Sequence, residues 1–180
     1  MGRACLFNPA QVNDEPATAV RVNKKELILE IIGHLTTELD LTMRAAKAAH
    51  AEATHEQSKA ENKYDTRGLE ASYLARGQSK QASETEKTIQ EFRKLDARAF
   101  GSGDPIDLGA VVELSHGQEK SLYFLAPRGG GIEVQHAGRD VLVVTPQSPL
   151  GAKLIGKKTG QKIRVEIDRS SNDYNVISVC

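Results

Sequence analysis

Residues 24–39 read KKELILEIIGHLTTEL, and residues 82–100 read ASETEKTIQEFRKLDARAF. In the first, Ile28, Ile31/Ile32, Leu35 and Leu39 recur near a 3.5-residue period, which continues outward through Thr42, Ala46, Ala49, Ala53 and Ala60. The second repeats that period when read from Ala75 through Gln78, Ala82, Thr85, Ile89, Phe92 and Ala99. Such a repeat is the seam of a helical pair. No proline interrupts residues 24–100, and their only glycines are Gly33, Gly68 and Gly77. The pattern predicts two helices, residues 25–62 and 69–99, folded back on each other about a polar tip at 62–69, where Gly68 supplies the turn. At a rise of about 1.5 Å per residue they would extend roughly 57 and 46 Å, beyond the span of a small domain. Large apolar residues lie at the base and alanines toward the tip, so the arms should be anchored below and approach closely above.

A two-helix hairpin buries too little surface to stand alone and needs a docking domain or a partner. The run Gly101-Ser102-Gly103-Asp104-Pro105 breaks the helical period and marks a linker, residues 101–105, after the hairpin of 23–100. Beyond it, residues 106–180 carry short apolar runs at 110–114, 121–126, 131–135, 139–145, 162–167 and 174–179, separated by turn signals such as His116-Gly117 and Gly129-Gly130-Gly131. One helical segment, 148–154, is expected to stop at Gly156. The expected fold class is α+β: an N-terminal antiparallel coiled-coil hairpin, then a small antiparallel sheet curled around one short helix. Residues 1–22 read as an irregular leader with an apolar patch at Leu6 and Phe7, and Asn23 as the cap of the first helix with Glu26 completing a capping box.

Composition narrows the function. Lys plus Arg and Asp plus Glu number 24 each. This balance argues against a general nucleic-acid binder, which offsets phosphate charge with a basic excess. No apolar run approaches the roughly 20 residues that span a bilayer, and the amino terminus lacks a signal-peptide core, so a soluble cytoplasmic protein is expected. Cys5 and Cys180 have no metal-ligand spacing and read as free thiols. His34, His50 and His55 form no His-x-x-x-His pair. Neither Arg128-Gly129-Gly130-Gly131 nor residues 151–159 has the spacing of a phosphate loop, and no nucleophile-base constellation can be assembled.

Residues 145–163, Thr145-Pro146-Gln147-Ser148-Pro149-Leu150-Gly151-Ala152-Lys153-Leu154-Ile155-Gly156-Lys157-Lys158-Thr159-Gly160-Gln161-Lys162-Ile163, resemble the carboxyl-terminal domain of the GreA/GreB family of bacterial transcript-cleavage and elongation factors. That family places a helical hairpin first and an FKBP-like sheet domain second, so the resemblance covers roughly residues 24–168. It implies an accessory factor, not an enzyme, that docks on the rim of the RNA polymerase secondary channel and passes its hairpin down the channel. Nucleic acid would be met only indirectly, within the transcription complex, and the hairpin would act as a monomer. The resemblance assigns docking to Gln147, Ser148, Pro149 and Leu150, with Gln147 where the family has Asp or Asn. It assigns Asp65 to a tip carboxylate that shares Mg²⁺ with the polymerase active site, no cofactor being intrinsic to the chain, and Arg67 and Arg76 to basic contacts of the hairpin. The second tip acid of the family falls on Gly68, leaving Glu61 and Glu70 as the nearest replacements. Two further readings stay open: a channel occupant that regulates initiation or pausing without RNA cleavage, and an FKBP-like chaperone or prolyl isomerase, for which Tyr123, Phe124 and Tyr174 are the available pocket aromatics.

Overall fold

The computed structural model describes residues 22–54, 67–101, 103–167 and 170–180. Its first helix, α1, spans Lys24–Thr54 and its second, α2, spans Arg67–Lys94. Asn23 caps α1 as expected: its side-chain oxygen accepts from the Glu26 amide at 3.4 Å, and its carbonyl accepts from the Leu27 amide at 2.9 Å. The start of α1 packs beside the end of α2, since Leu27, Ile28, Ile31 and Leu35 share a core with Ile89 and Phe92. The helices are therefore antiparallel. Farther out the seam continues through Thr42, Ala49, Ala71 and Thr85, all buried.

The hairpin differs from the expected one in three respects. Gly68 lies in the first turn of α2, where its carbonyl accepts from the Ser72 hydroxyl at 2.9 Å, and does not form the turn. Helix α2 ends at Lys94, not 99: the Leu95 amide closes back on the Phe92 carbonyl, and the chain then runs extended. Residues 95–98 alternate between half-buried Leu95 and Ala97 and exposed Asp96 and Arg98, a two-residue period that the helical reading passed over. Ala99, assigned to the seam, is exposed, and Phe100 is buried instead. The outer faces carry exposed apolar side chains, Leu29, Leu41, Met43, Leu69, Tyr73 and Leu74.

Six strands follow: β1 Val111–His116, β2 Glu119–Leu125, β3 Glu133–His136, β4 Arg139–Val144, β5 Lys162–Ile167 and β6 Ser170–Val179, with α3, Pro149–Leu154, between β4 and β5. They form one sheet in the order β3-β4-β2-β1-β6-β5. The sheet is mixed where an antiparallel one was expected, because β2 and β4 pair in parallel from Leu122 opposite Val141 to Leu125 opposite Val144. The reversal comes from β3. The chain leaves β2, crosses through residues 126–132 and turns back at Ala137 (φ 51°) and Gly138 (φ 76°), which brings β4 alongside β2 in the same direction. Two consecutive positive φ values make a hairpin turn whose twist matches the strands.

Both faces of the sheet are covered, whereas a single helix had been expected to cover one. Alternation sends Val111, Leu122, Phe124, Val141 and Val143 to the hairpin side. Val112, Leu114, Leu125, Val144, Val165 and Val176 face the other way, against Leu154 of α3 and Ile106. Phe92 and Phe124, both fully buried with ring centroids 6.3 Å apart, join helix to sheet. The hairpin base is thus the missing second layer of the sheet domain. The glycine run after β2 serves the same joint: a Cβ on Gly129 would press on Ile132, Phe92 and Thr88, so only glycine lets that loop close on α2.

Candidate docking loop and hairpin tip

Docking was assigned to the loop between β4 and α3, and its geometry follows from four residues. Ser148, at φ −73° and ψ 151°, is the N-cap of α3. Its hydroxyl donates to the Thr145 carbonyl at 2.8 Å and accepts from the Gly151 amide at 3.0 Å. Pro149 follows at the first helical position, where a missing N–H costs nothing. Gly151 is required for a different reason: a Cβ there would collide with the Thr145 carbonyl. The Ser-Pro-x-Gly spelling is therefore a folding instruction, and Ser148 has its hydroxyl committed inside the loop.

The outward elements are Gln147 and Pro149, both exposed, with Leu150 half-buried behind them. Beside them lies a shallow apolar groove of about 550 Å³ lined by Tyr123, Leu142, Leu150 and Thr145 together with Gly130 and Gly131. Lys153, on the last turn of α3, and Lys158 beyond it are exposed and give this end of the molecule positive charge. Because α3 packs on the sheet face opposite the hairpin base, the loop and the hairpin present separate surfaces.

At the other end, Glu61 and Asp65 lie outside the described residues, as does His55. Arg67 begins α2, Glu70 follows in its first turn, and Arg76 is exposed two turns further along. Glu70 is two residues beyond Gly68, which on a helix turns it by roughly 200° from the direction a side chain at 68 would take. It cannot present its carboxylate where a second acid at 68 would stand. Among the described residues no cluster of His, Cys, Asp and Glu could hold a metal ion, and His34 and His50 are exposed and separate. Any Mg²⁺ at the tip would need donors beyond these.

The aromatics weighed for an isomerase pocket do not converge. Phe124 is buried against the hairpin, whereas Tyr123 and Tyr174 pack on the opposite side of the sheet. Burial raises the Tyr123 hydroxyl above its usual range, so it stays a neutral donor beside the groove at the β4–α3 loop. A pairing that sequence reasoning missed is that of His136 with Glu30: the imidazole, 4% exposed, meets the carboxylate at 2.8 Å and ties β3 to α1. Its signal was faint, since His136 alternates with Val134 on the face of β3 turned toward the hairpin.

No family model matches the chain. Curated relatives similar to it are the transcription elongation factor GreA of Nitratidesulfovibrio vulgaris strains DP4 and Hildenborough, each 30% identical over 97 residues, or 52% of this chain and 55% of the relative. The chain thus spans about half the length of the curated relatives it matches. Among solved structures, GreA factor homolog 1 (Gfh1) of Thermus thermophilus is similar at 21% identity and a TM-score of 0.35, covering 83% of this chain and 94% of that one. A GreA/GreB factor from Nitrosomonas europaea is similar at 15% identity and a TM-score of 0.34, covering 53% of this chain and 78% of that one.

Proposed function

We propose, on the premise that the chain is a divergent relative of the GreA elongation factors, that it binds RNA polymerase through the loop at Gln147, Pro149 and Leu150 and sends its hairpin into the secondary channel. The observation that supports this most is the sequence similarity to GreA, together with a capped Ser148-Pro149 loop and a long antiparallel hairpin in one chain. A rigid base suits such a probe, since a hairpin locked to the sheet transmits the position of the docked domain to its tip. The chain's part is to bind and position, with the polymerase performing any chemistry.

Within this proposal Asp65 would offer one carboxylate to a Mg²⁺ held mainly by the polymerase. A single carboxylate binds Mg²⁺ weakly in water but can complete a shell that others have begun. The place of Gly68 on α2, with Glu70 turned away from it, favours a second reading: the hairpin occupies the channel and modulates initiation or pausing without promoting cleavage. An assay on halted, backtracked elongation complexes separates the two. RNA shortening that Asp65→Asn abolishes supports cleavage assistance. Altered pausing without shortening, with shortening gained in Gly68→Glu, supports the regulator. No effect of the wild-type chain on either process at saturating protein would overturn both. Gly68→Glu should fold, because position 68 is helical and an acid in the first turn suits the helix dipole.

A further inference from the structure

The base of the hairpin holds a nucleophile pair that docking does not use. Lys24, at the start of α1, is 7% exposed although lysine ammonium groups normally reach water. Its Nζ donates to the Arg98 carbonyl at 2.7 Å and stands 4.3 Å from the centre of the Phe100 ring, whose surroundings also include the Arg98 guanidinium at 4.2 Å. Lys24 and the free thiol of Cys180 line one cavity of about 280 Å³, with Val22, Ala97, Ala99 and Phe100 as its apolar walls. Cys180 pairs with Val111 through amide and carbonyl bonds of 3.0 and 2.9 Å, and its thiol donates to the Val111 carbonyl at 3.7 Å until a reaction partner draws it away.

We propose that Lys24 is a site of acylation by small-acyl thioesters, loaded through Cys180. A volume of about 280 Å³ has room for a small acyl group, whose carbonyl would enter while the donor thiol leaves toward solvent. In the first step the Cys180 proton passes to the Lys24 amine, and the thiolate attacks the thioester carbonyl. The carbon–sulfur bond to the donor breaks, and the departing thiolate takes the proton from Lys24. In the second step the neutral Lys24 nitrogen attacks the S-acyl carbonyl on Cys180. A carbon–nitrogen bond forms, the bond to Cys180 breaks, and the nitrogen's proton returns to that sulfur. Thioester and amine become amide and thiol, with no change in oxidation state.

The charges around the pair bear on both steps. Desolvation by burial lowers the Lys24 amine to about 8, opposed by Cys180 and Asp96 and assisted by Arg98. The amine is therefore a usable nucleophile near neutral pH, where an exposed lysine is almost wholly protonated. Burial raises the Cys180 thiol, while the positive charge of Lys24 opposes the rise by stabilising the thiolate and Glu113 adds to it.

The test uses the full chain carrying Cys5→Ser, which leaves Cys180 as its only thiol. It is incubated with acetyl-coenzyme A at about pH 8, and acetylation is mapped by peptide mass spectrometry. The expected result is acetylation of Lys24 about tenfold or more above that of the exposed Lys47 and Lys80, reflecting intramolecular transfer. Adding Cys180→Ser or Cys180→Ala should return Lys24 to the level of Lys80, with both variants shown to be folded by their thermal transitions. Lys24 acetylated no faster than Lys80 would overturn the site. Lys24 acetylated equally with and without the Cys180 thiol would overturn the relay.

Discussion

The lower and upper halves of the hairpin obey the same heptad spacing and do different work. At the base, Leu27, Ile31, Leu35, Ile89 and Phe92 are large and buried, and they contact the sheet as well as one another. Toward the tip the seam narrows to Thr42, Ala46, Ala49, Ala71, Ala75 and Ala82, buried or half-buried and none of them part of the core shared with the sheet, while the flanks carry exposed pairs such as Arg44 with Asp40. Hydrophobic burial follows area, so stability concentrates in the lower half. The upper half is thin and can vary its surface at little cost to the fold.

The sharpest way to break the comparison is to make a deletion of similar kind in each half. Phe92→Ala should cost about 3–5 kcal/mol, because a fully buried aromatic leaves a cavity between α2 and the sheet. Gln78→Ala, halfway up α2, should cost less than about 0.5 kcal/mol, since it removes little buried apolar area and alanine favours helix. Urea unfolding monitored by circular dichroism measures both. Comparable losses would show that the halves are not energetically distinct.

A smaller effect sharpens the description of the base. Lys24 titrates in the folded chain at about 8 against 10.5 when free, so folding disfavours its charged form. Between those values the unfolded chain binds more protons, and stability contributed through Lys24 rises with pH. Below about 8 the cost of burying the ammonium is fully present, on the order of 3 kcal/mol at most. Cys180 works in the opposite direction: its raised pKa favours the protonated thiol in the fold, a contribution lost as pH rises past the usual thiol range. The difference between wild type and Lys24→Met, followed from pH 8 to 10.5, therefore isolates the lysine. The variant should lose the upward slope, and an unchanged slope would mean that the ammonium is solvated.

Where the chain's local pattern and its tertiary surroundings agree, the sequence was legible. The seam from Ile28 to Ala49, the Asn23 cap, Gly156 with its φ of 75° and the first five strands lie within a few residues of where spacing and turn residues put them, whereas β6 begins at Ser170 and not at 174. What escaped reading depended on distant partners. Nothing local in Arg93-Lys94-Leu95-Asp96 ends a helix; Leu95 and Ala97 leave it because the sheet offers a better place to bury them. The parallel β2–β4 pairing depends on where β3 turns, and Ala137 gives little warning that it adopts a positive φ. The docking loop was legible as a motif but not as a division of labour. Ser148 looked like a contact residue and is a cap, with Gln147 and Pro149 the exposed residues on either side of it. The tip was legible only in composition, and Gly68 changed meaning once α2 was seen to begin before it.

The proposed engagement of RNA polymerase through the β4–α3 loop can be read from a fluorescence titration of the labelled full chain with RNA polymerase. Because Ser148 and Gly151 hold the loop's shape, the informative variant is Gln147→Ala with Pro149→Ala, which changes exposed side chains and keeps the cap. The wild type should bind saturably, and the double variant should bind about tenfold more weakly, corresponding to about 1.4 kcal/mol. Equal affinity for the two proteins, or no binding by the wild type, would contradict it.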